Sequence, residues 1–427
     1  MAHPLHINQV YSPPFFFAAF CEFSMIPLTS TAQRVDAAEM PLWRLGFRPF
    51  FLFGAWFAAL AMLAWTAFLY GRGLPVQPVG GWLAWHRHEM VFGFVMAIVG
   101  GFLLTAVPNW TGIASARGRR LMALAAVWGL ARLLWLAGAD ARLVAIAQMT
   151  FMLGLAALIT SNIWRARQLR NYPVVAILLL LAAADLLSLS GTLQGNPARQ
   201  TQGAMAALLL LMTLTGLIGA RVIPMFTKNG LRIAPLRAAR PAHAYGLLGA
   251  GVLAGLLAAY QGAEPAQGAW AWAAAALYAC LGLGHLWQLS AWYHRGIWRV
   301  PLLWSLHAAY AWMGVFALGM AAWQAGWLAR ADLPLHALTV GGLGGMTLAM
   351  MARVSLGHTG RPLQAPRAMT TAFVLLNLGA LLRVTAIPAW WQFAVPMAGL
   401  CWATAFLIFA ATYAKMLMQP RVDGMPG

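Results

Sequence analysis

Residues 85–112 read WHRHEMVFGFVMAIVGGFLLTAVPNWTG, an apolar run with His86, Arg87, His88 and Glu89 at its mouth and Asn109 at its far end. About 20 helical residues cross the hydrocarbon layer of a bilayer, so this stretch reads as one membrane-spanning helix. Ionisable side chains at the mouth of a span are expensive, and their default reading is functional. The rest of the chain agrees: of 427 residues, 62% are hydrophobic and only 9% charged, too little polar side chain to clothe a soluble domain.

Working outward, apolar runs of spanning length recur at roughly 49–70, 86–108, 119–138, 141–163, 172–192, 203–223, 243–261, 269–289, 299–325, 335–352, 367–386 and 390–415. They predict an all-α polytopic transmembrane bundle of about 12 spans over residues 41–418, with a tail at 1–40 and a short one at 419–427. The tightest connection is Gly138, Ala139 and Asp140 between the third and fourth spans, and the tenth span is short. Arginine placement tests the count independently, because Lys and Arg are retained on the cytoplasmic side of short loops. Loops after even-numbered spans hold Arg117, Arg119 and Arg120; Arg165, Arg167 and Arg170; Lys228, Arg232, Arg237 and Arg240; Arg295 and Arg299; and Arg353, Arg361 and Arg367. Loops after odd-numbered spans hold few bases, and none between Ala386 and Trp390. The alternation predicts both termini cytoplasmic, and it explains a formal charge of +19 without any nucleic-acid partner.

Residues 10–28 are aromatic and proline-bearing, with Glu22 inside the run and no basic region before it, unlike a cleaved signal. An interfacial or disordered tail is expected, with Met40 as an alternative start. Cys21, Cys280 and Cys401 form no metal or disulfide pattern and read as buried free thiols. Gly341, Gly342, Gly344 and Gly345 lie within a span and suit close approach of another helix or a flat cofactor.

Ten histidines divide by depth. His3 and His6 lie in the tail; His243, His285 and His294 lie near helix ends, where imidazole is favourable or wet. His86 shares a helical face with Glu89 and Met90, whereas His88 points about 200° away on a regular helix, so the two suit either different centres or one ligand with one supporting partner. His336 opens the tenth span on the same side as His86 and His88, which permits a metal or haem site between helices two and ten. His307 lies near the opposite side and can satisfy itself against a helix carbonyl. Neutral imidazole suits haem iron and copper. Glu89 can orient a ligand, relay protons or pair with Arg87. Asp185, Asn377 and Arg383 read as interhelical contacts, Arg132 and Arg221 as snorkelling cations. Met346 and Met350 read as apolar filling, and Arg353, His358 and Arg361 as candidates to hold haem propionates or an anion.

These segments carry a resemblance. PLWRLGFRPFF from Pro41, WHRHEMVFGF from Trp85, GFLLTAVPNWTG from Gly101, RVIPMFTKNG from Arg221, His307, and HALTVGGLGGMTLAMMARVSLGHTGRPL from His336 resemble the NnrS family of bacterial haem- and copper-containing membrane proteins. The resemblance covers residues 40–415 and implies a multi-pass inner-membrane protein that binds b-type haem (heme b) and copper and protects against reactive nitrogen species. It makes His86, His88, His307 and His336 candidate metal ligands, and Glu89, Asn109, Asn229, Arg353 and His358 candidate cofactor contacts. Arg87 departs from the small residue expected between the paired histidines.

The leading expectation is therefore a haem- and copper-dependent protein handling nitric oxide or an iron-nitrosyl species in nitrosative stress or denitrification, served by a membrane electron donor. Whether it is an enzyme stays open. A haem-copper nitric oxide reductase expects an adjacent histidine pair and a late H-x-H; here the only H-x-H is in the second span, and His307 is followed by Ala308, Ala309 and Tyr310. A copper or proton-coupled transporter would use Glu89 and Asp185, but the halves show no internal repeat. A haem sensor or assembly factor remains a further alternative.

Overall fold

A segment in lipid must satisfy its own backbone hydrogen bonds, and the helix is the way a single segment does so. In the computed structural model, which describes residues 40–236, 240–385 and 390–425, every long element is helical and no strand occurs among the described residues. Expectations for the 1–40 tail, with His3, His6 and Cys21, fall almost wholly outside the described residues, as does Arg237.

Among the described residues twelve long helices follow one another: α1 Phe47–Leu69, α2 Trp82–Thr111, α3 Arg119–Leu136, α4 Ala141–Arg165, α5 Tyr172–Leu193, α6 Pro197–Leu231, α7 Pro241–Gln261, α8 Ala269–Trp292, α9 Pro301–Gln324, α10 Asp332–His358, α11 Arg367–Thr385 and α12 Trp391–Met418. Eleven are long and apolar enough to cross a membrane; the exception is α3, which carries Arg119, Arg120 and Arg132. The predicted spans match these helices in order and number. Three run longer than their apolar stretch: α2 spans 30 residues, α6 continues through Pro224 to Leu231 with Asn229 inside it, and α10 spans 27 residues. Asn109 likewise lies within α2, its amide donating to the Thr105 carbonyl at 3.3 Å.

The turn at Gly138, Ala139 and Asp140 is as tight as expected. Gly138 has φ +69°, and a Cβ there would meet the Gln77 carbonyl oxygen at 2.5 Å. Asp140 caps α4 by accepting from the Arg142 amide at 2.8 Å.

Consecutive helices pack against one another, and α1 packs against both α2 and α12. The first turn of α1 is pinned twice: the Phe47 amide donates to Thr105 Oγ1 in α2 at 3.0 Å, and Arg48 Nη1 donates to the Leu417 and Gln419 carbonyls at 2.9 and 2.7 Å. The start of α1 and the end of α12 therefore meet. Small residues allow close approach: Gly341 lies against the Trp312 indole, Gly344 against Trp402, and a Cβ on Gly345 would touch Ala309 at 3.0 Å. The glycine run is a seat for tryptophan and alanine side chains of neighbouring helices. Of the remaining cysteines, Cys401 is buried and Cys280 exposed, both as free thiols.

Burial separates the helices. The most buried are α2 (78%) and α10 (83%), whereas α7 is 22% buried. Each of the two inner helices is interrupted by a π-helical segment, Glu89–Val95 in α2 and Ala337–Gly344 in α10. π segments are rare and concentrate at functional sites. Here each begins one to three residues after the histidines singled out in the sequence.

Candidate functional site

The mouth of α2 divides its histidines between two environments, as the helical angle between them requires. His88 belongs to a fully buried polar cluster. Its Nδ1 lies 3.0 Å from Glu89 Oε1 and its Nε2 2.8 Å from Asp185 Oδ1 on α5. Asp185 Oδ2 accepts from Gln148 Nε2 on α4 at 2.6 Å. Gln148 Oε1 accepts from Arg132 Nη2 on α3, and Arg132 Nε pairs with Glu89 Oε2 at 2.5 Å. The chain of contacts returns to its start: His88, Asp185, Gln148, Arg132 and Glu89 form a closed circuit across four successive helices. His88, Glu89, Gln148 and Asp185 are 0% exposed and Arg132 5%. With an N–H on each ring nitrogen, His88 donates to both carboxylates, and two cations balance two anions. Buried charge is tolerated when paired and hydrogen-bonded in this way.

Three sequence-based expectations change here. Arg132 does not snorkel; it is the counter-ion of Glu89. Glu89 pairs neither with Arg87 nor on the His86 face, and Arg87 instead donates to Thr201 Oγ1 at 2.7 Å and Gln200 Oε1 at 3.3 Å. Arg221 is also partnered, donating to Asn171 Oδ1 at 2.7 Å and the Arg170 carbonyl at 2.9 Å. Asp185 is an interhelical contact as expected, and so are two others: Asn377 Oδ1 accepts from Trp312 Nε1 at 3.0 Å, and Arg383 reaches Asp332 at 3.5 Å.

His86 faces the other way. Its ring stacks on Trp65 of α1 with centroids 4.4 Å apart and planes 8° from parallel, and Trp65, Phe68 and Trp82 extend the stack. His86 Nδ1 is buried with no hydrogen-bond partner. The charged and titratable groups that act on it are His336, Arg383 and Arg87. His336, at the last α-helical residue before the π segment of α10, donates from Nδ1 to the Asp332 carbonyl at 2.6 Å. That bond fixes the tautomer in which Nε2 keeps its lone pair. His86, in the first turns of α2, and His336, in the first turns of α10, are close enough to act on one another electrostatically, and the His336 ring keeps a neutral Nε2.

The other candidates are dispersed. His307 Nδ1 bonds the Leu303 carbonyl at 2.9 Å, the self-satisfied arrangement anticipated for it, and its Nε2 lies 3.4 Å from the Trp292 carbonyl. His285 on α8 pairs through Nδ1 with the hydroxyl of Tyr310 on α9 at 2.9 Å. Arg353 is buried with its guanidinium 3.8 Å over the Phe226 ring, and His358 lies against Phe47 with centroids 5.6 Å apart. Asn229 is exposed. Met346 and Met350 are buried core residues.

Two imidazoles, one with an orphaned buried nitrogen, form a donor set that fits haem iron or copper. Among the described residues no three His, Cys, Asp or Glu side chains converge to hold a metal ion. Sequence reasoning missed Arg132, Gln148 and Trp65. For Arg132 the signal was present, since a third arginine deep in an apolar helix asks for a partner.

Fold and site together define a polytopic α-helical membrane protein whose two innermost helices each carry histidine just ahead of a π segment. The chain belongs to the NnrS family: the family model described as NnrS protein matches residues 41–421, nearly its whole length. No curated protein matches the chain.

Proposed function

We propose that the protein binds haem and copper in the bacterial inner membrane and handles nitric oxide or an iron-nitrosyl species there, with His86 and His336 as metal ligands. One observation carries the proposal: His86 Nδ1 is buried in a membrane helix with nothing to bond. An unsatisfied buried polar atom costs roughly 1–3 kcal/mol, and a metal ion relieves that cost. Membership of the NnrS family supports the link to nitric oxide.

A bound haem iron or copper supplies an electron-rich centre that takes up a diatomic ligand. The chain supplies the rest. Trp65 holds the plane of His86 and keeps water from it, while the Asp332 carbonyl holds His336 in the tautomer that leaves Nε2 available. The buried circuit through His88 and Glu89 steadies the mouth of α2 one turn away and carries a proton on His88 facing both carboxylates. Coordination by His88 requires breaking one of those two bonds, so its part is positional. His307, His358, Arg353 and Asn109 lie away from these two imidazoles and serve the packing of α9, α10 and α2 instead. Nitric oxide is apolar and reaches the histidines through lipid. The arginine-rich end faces the cytoplasm.

The test is a paired haem and copper assay on the detergent-purified full chain, with optical spectra before and after anaerobic nitric oxide. We expect His86→Ala and His336→Ala each to lose metal or haem while inserting normally, and His3→Ala to lose neither. Unchanged haem and copper in both folded variants overturns the assignment.

A further inference from the structure

The opposite end of the bundle holds a second concentration of charge that the histidine site does not use. Arg44 and Arg48 precede and open α1, Arg361 follows α10, and Arg421 follows α12. Arg44, Arg361 and Arg421 all act repulsively on Arg48. Arg421 is neutralised locally: its Nε and Nη2 donate to Asp423 Oδ1 and Oδ2 at 2.9 and 2.6 Å. It also ties the C-terminal segment to the end of α10, donating from Nη1 to the His358 carbonyl at 3.3 Å. Arg48 is held by the carbonyls at the end of α12. Arg44 Nε and Arg361 Nη1, in contrast, are buried donors with no hydrogen-bond partner.

Retention of loops on the cytoplasmic side accounts for arginine in water. It does not account for guanidinium N–H groups that are buried, unbonded and pressed toward like charge. Each such donor left unsatisfied is costly, and a guanidinium more so than a neutral group. An anion offering several acceptor oxygens removes both costs, because guanidinium forks match tetrahedral oxyanions. The anion is not a propionate of a cofactor held at His336: 22 residues of α10 separate His336 from His358, about 30 Å of helix axis. The cluster lies at the ends of α1, α10 and α12, where a bilayer presents its phosphates.

We propose that Arg44, Arg48 and Arg361 form a binding site for a phosphate group, supplied by an anionic phospholipid headgroup or by a soluble phosphate. Basic pockets between transmembrane helices take lipid headgroups by the same chemistry.

The experiment measures thermal unfolding of the full chain in nanodiscs of phosphatidylcholine alone, of phosphatidylcholine with phosphatidylglycerol, and of phosphatidylcholine alone with inorganic phosphate at constant ionic strength. A rise in Tm with phosphatidylglycerol but not with phosphate identifies the lipid source, and a rise with phosphate in neutral lipid identifies the soluble one. Arg361→Gln and Arg44→Gln should each weaken the response at least about tenfold in ligand concentration, whereas Arg165→Gln, an exposed arginine at the end of α4, should not. No rise with either ligand overturns the proposal on the unmodified protein, whatever the variants do. A rise that Arg44→Gln and Arg361→Gln leave unchanged overturns it as well.

Discussion

Replacing Arg132 by Met tests the buried circuit directly. Arg132 is the only cation other than His88 among the five residues, and its Nε lies 2.5 Å from Glu89 Oε2 with both side chains almost wholly buried. The substitution keeps the volume of the stem and removes the charge. Glu89 and Asp185 are then left with His88 alone, and the Gln148 carbonyl oxygen loses its donor. Removing one partner of a buried pair costs roughly 3–5 kcal/mol, mostly because the remaining charge is stranded. Adding Glu89→Gln removes the stranded charge, so the double variant should recover about 2 kcal/mol or more of that loss. Unfolding in mixed detergent micelles, followed by tryptophan fluorescence, gives the three free energies. A cost for Arg132→Met below about 1 kcal/mol, the scale of a surface cation, or strictly additive single and double variants, would refute the circuit.

Other outcomes follow from packing and titration. Gly344→Leu drives a side chain into the Trp402 indole and should cost about 1–3 kcal/mol by overpacking. Gly246→Ala, whose Cβ meets nothing within 4 Å, should leave thermal stability unchanged or raise it slightly, by about 0.4–1 kcal/mol. Asn377→Leu strands the Trp312 Nε1 donor and should lower stability by about 1–3 kcal/mol in the same unfolding assay. The Arg421 guanidinium holds the Asp423 carboxyl down from 3.8 to about 2. Its contribution to docking the C-terminal segment is therefore complete above about pH 3.8 and lost as pH falls toward 2. Hydrogen-exchange protection of the Val422 amide, bonded to the Thr359 carbonyl at 3.2 Å, should fall across that window and stay level in Asp423→Asn.

Hydropathy and arginine alternation made the twelve helices legible because each span is local: lipid demands length and apolarity of each segment by itself. Asp185, Asn377 and Arg383 were legible as interhelical contacts for the same reason, since a polar group in lipid must find a partner. Which partner it finds is not local. Glu89 and Arg132 are 43 positions apart on helices with little amphipathic pattern, and nothing in either stretch names the other. The assignment of Arg132 to the interface failed there. The split between His86 and His88 was legible from helical angle alone, whereas the π segments beside them were not. A π turn differs from an α turn by one backbone hydrogen-bond step, and Glu89–Val95 and Ala337–Gly344 contain no residue type that forces it. Their glycines permit it, and packing against neighbours selects it.

The closed circuit also constrains how the chain enters the bilayer. As α2 enters the bilayer it carries Glu89 with only the neighbouring His88 to face it, and α3 follows with Arg132 in a helix too charged to rank as a span by itself. On the scale set by insertion experiments, a lone arginine at the centre of a helix opposes partitioning by about 2.5–3.5 kcal/mol. Entering together, α2 and α3 bring Glu89 and Arg132 as opposite charges, and the circuit closes only when Gln148 on α4 and Asp185 on α5 have followed. Residues 82–193 thus hold the whole circuit, and a chain cut before α5 lacks the second carboxylate that faces His88.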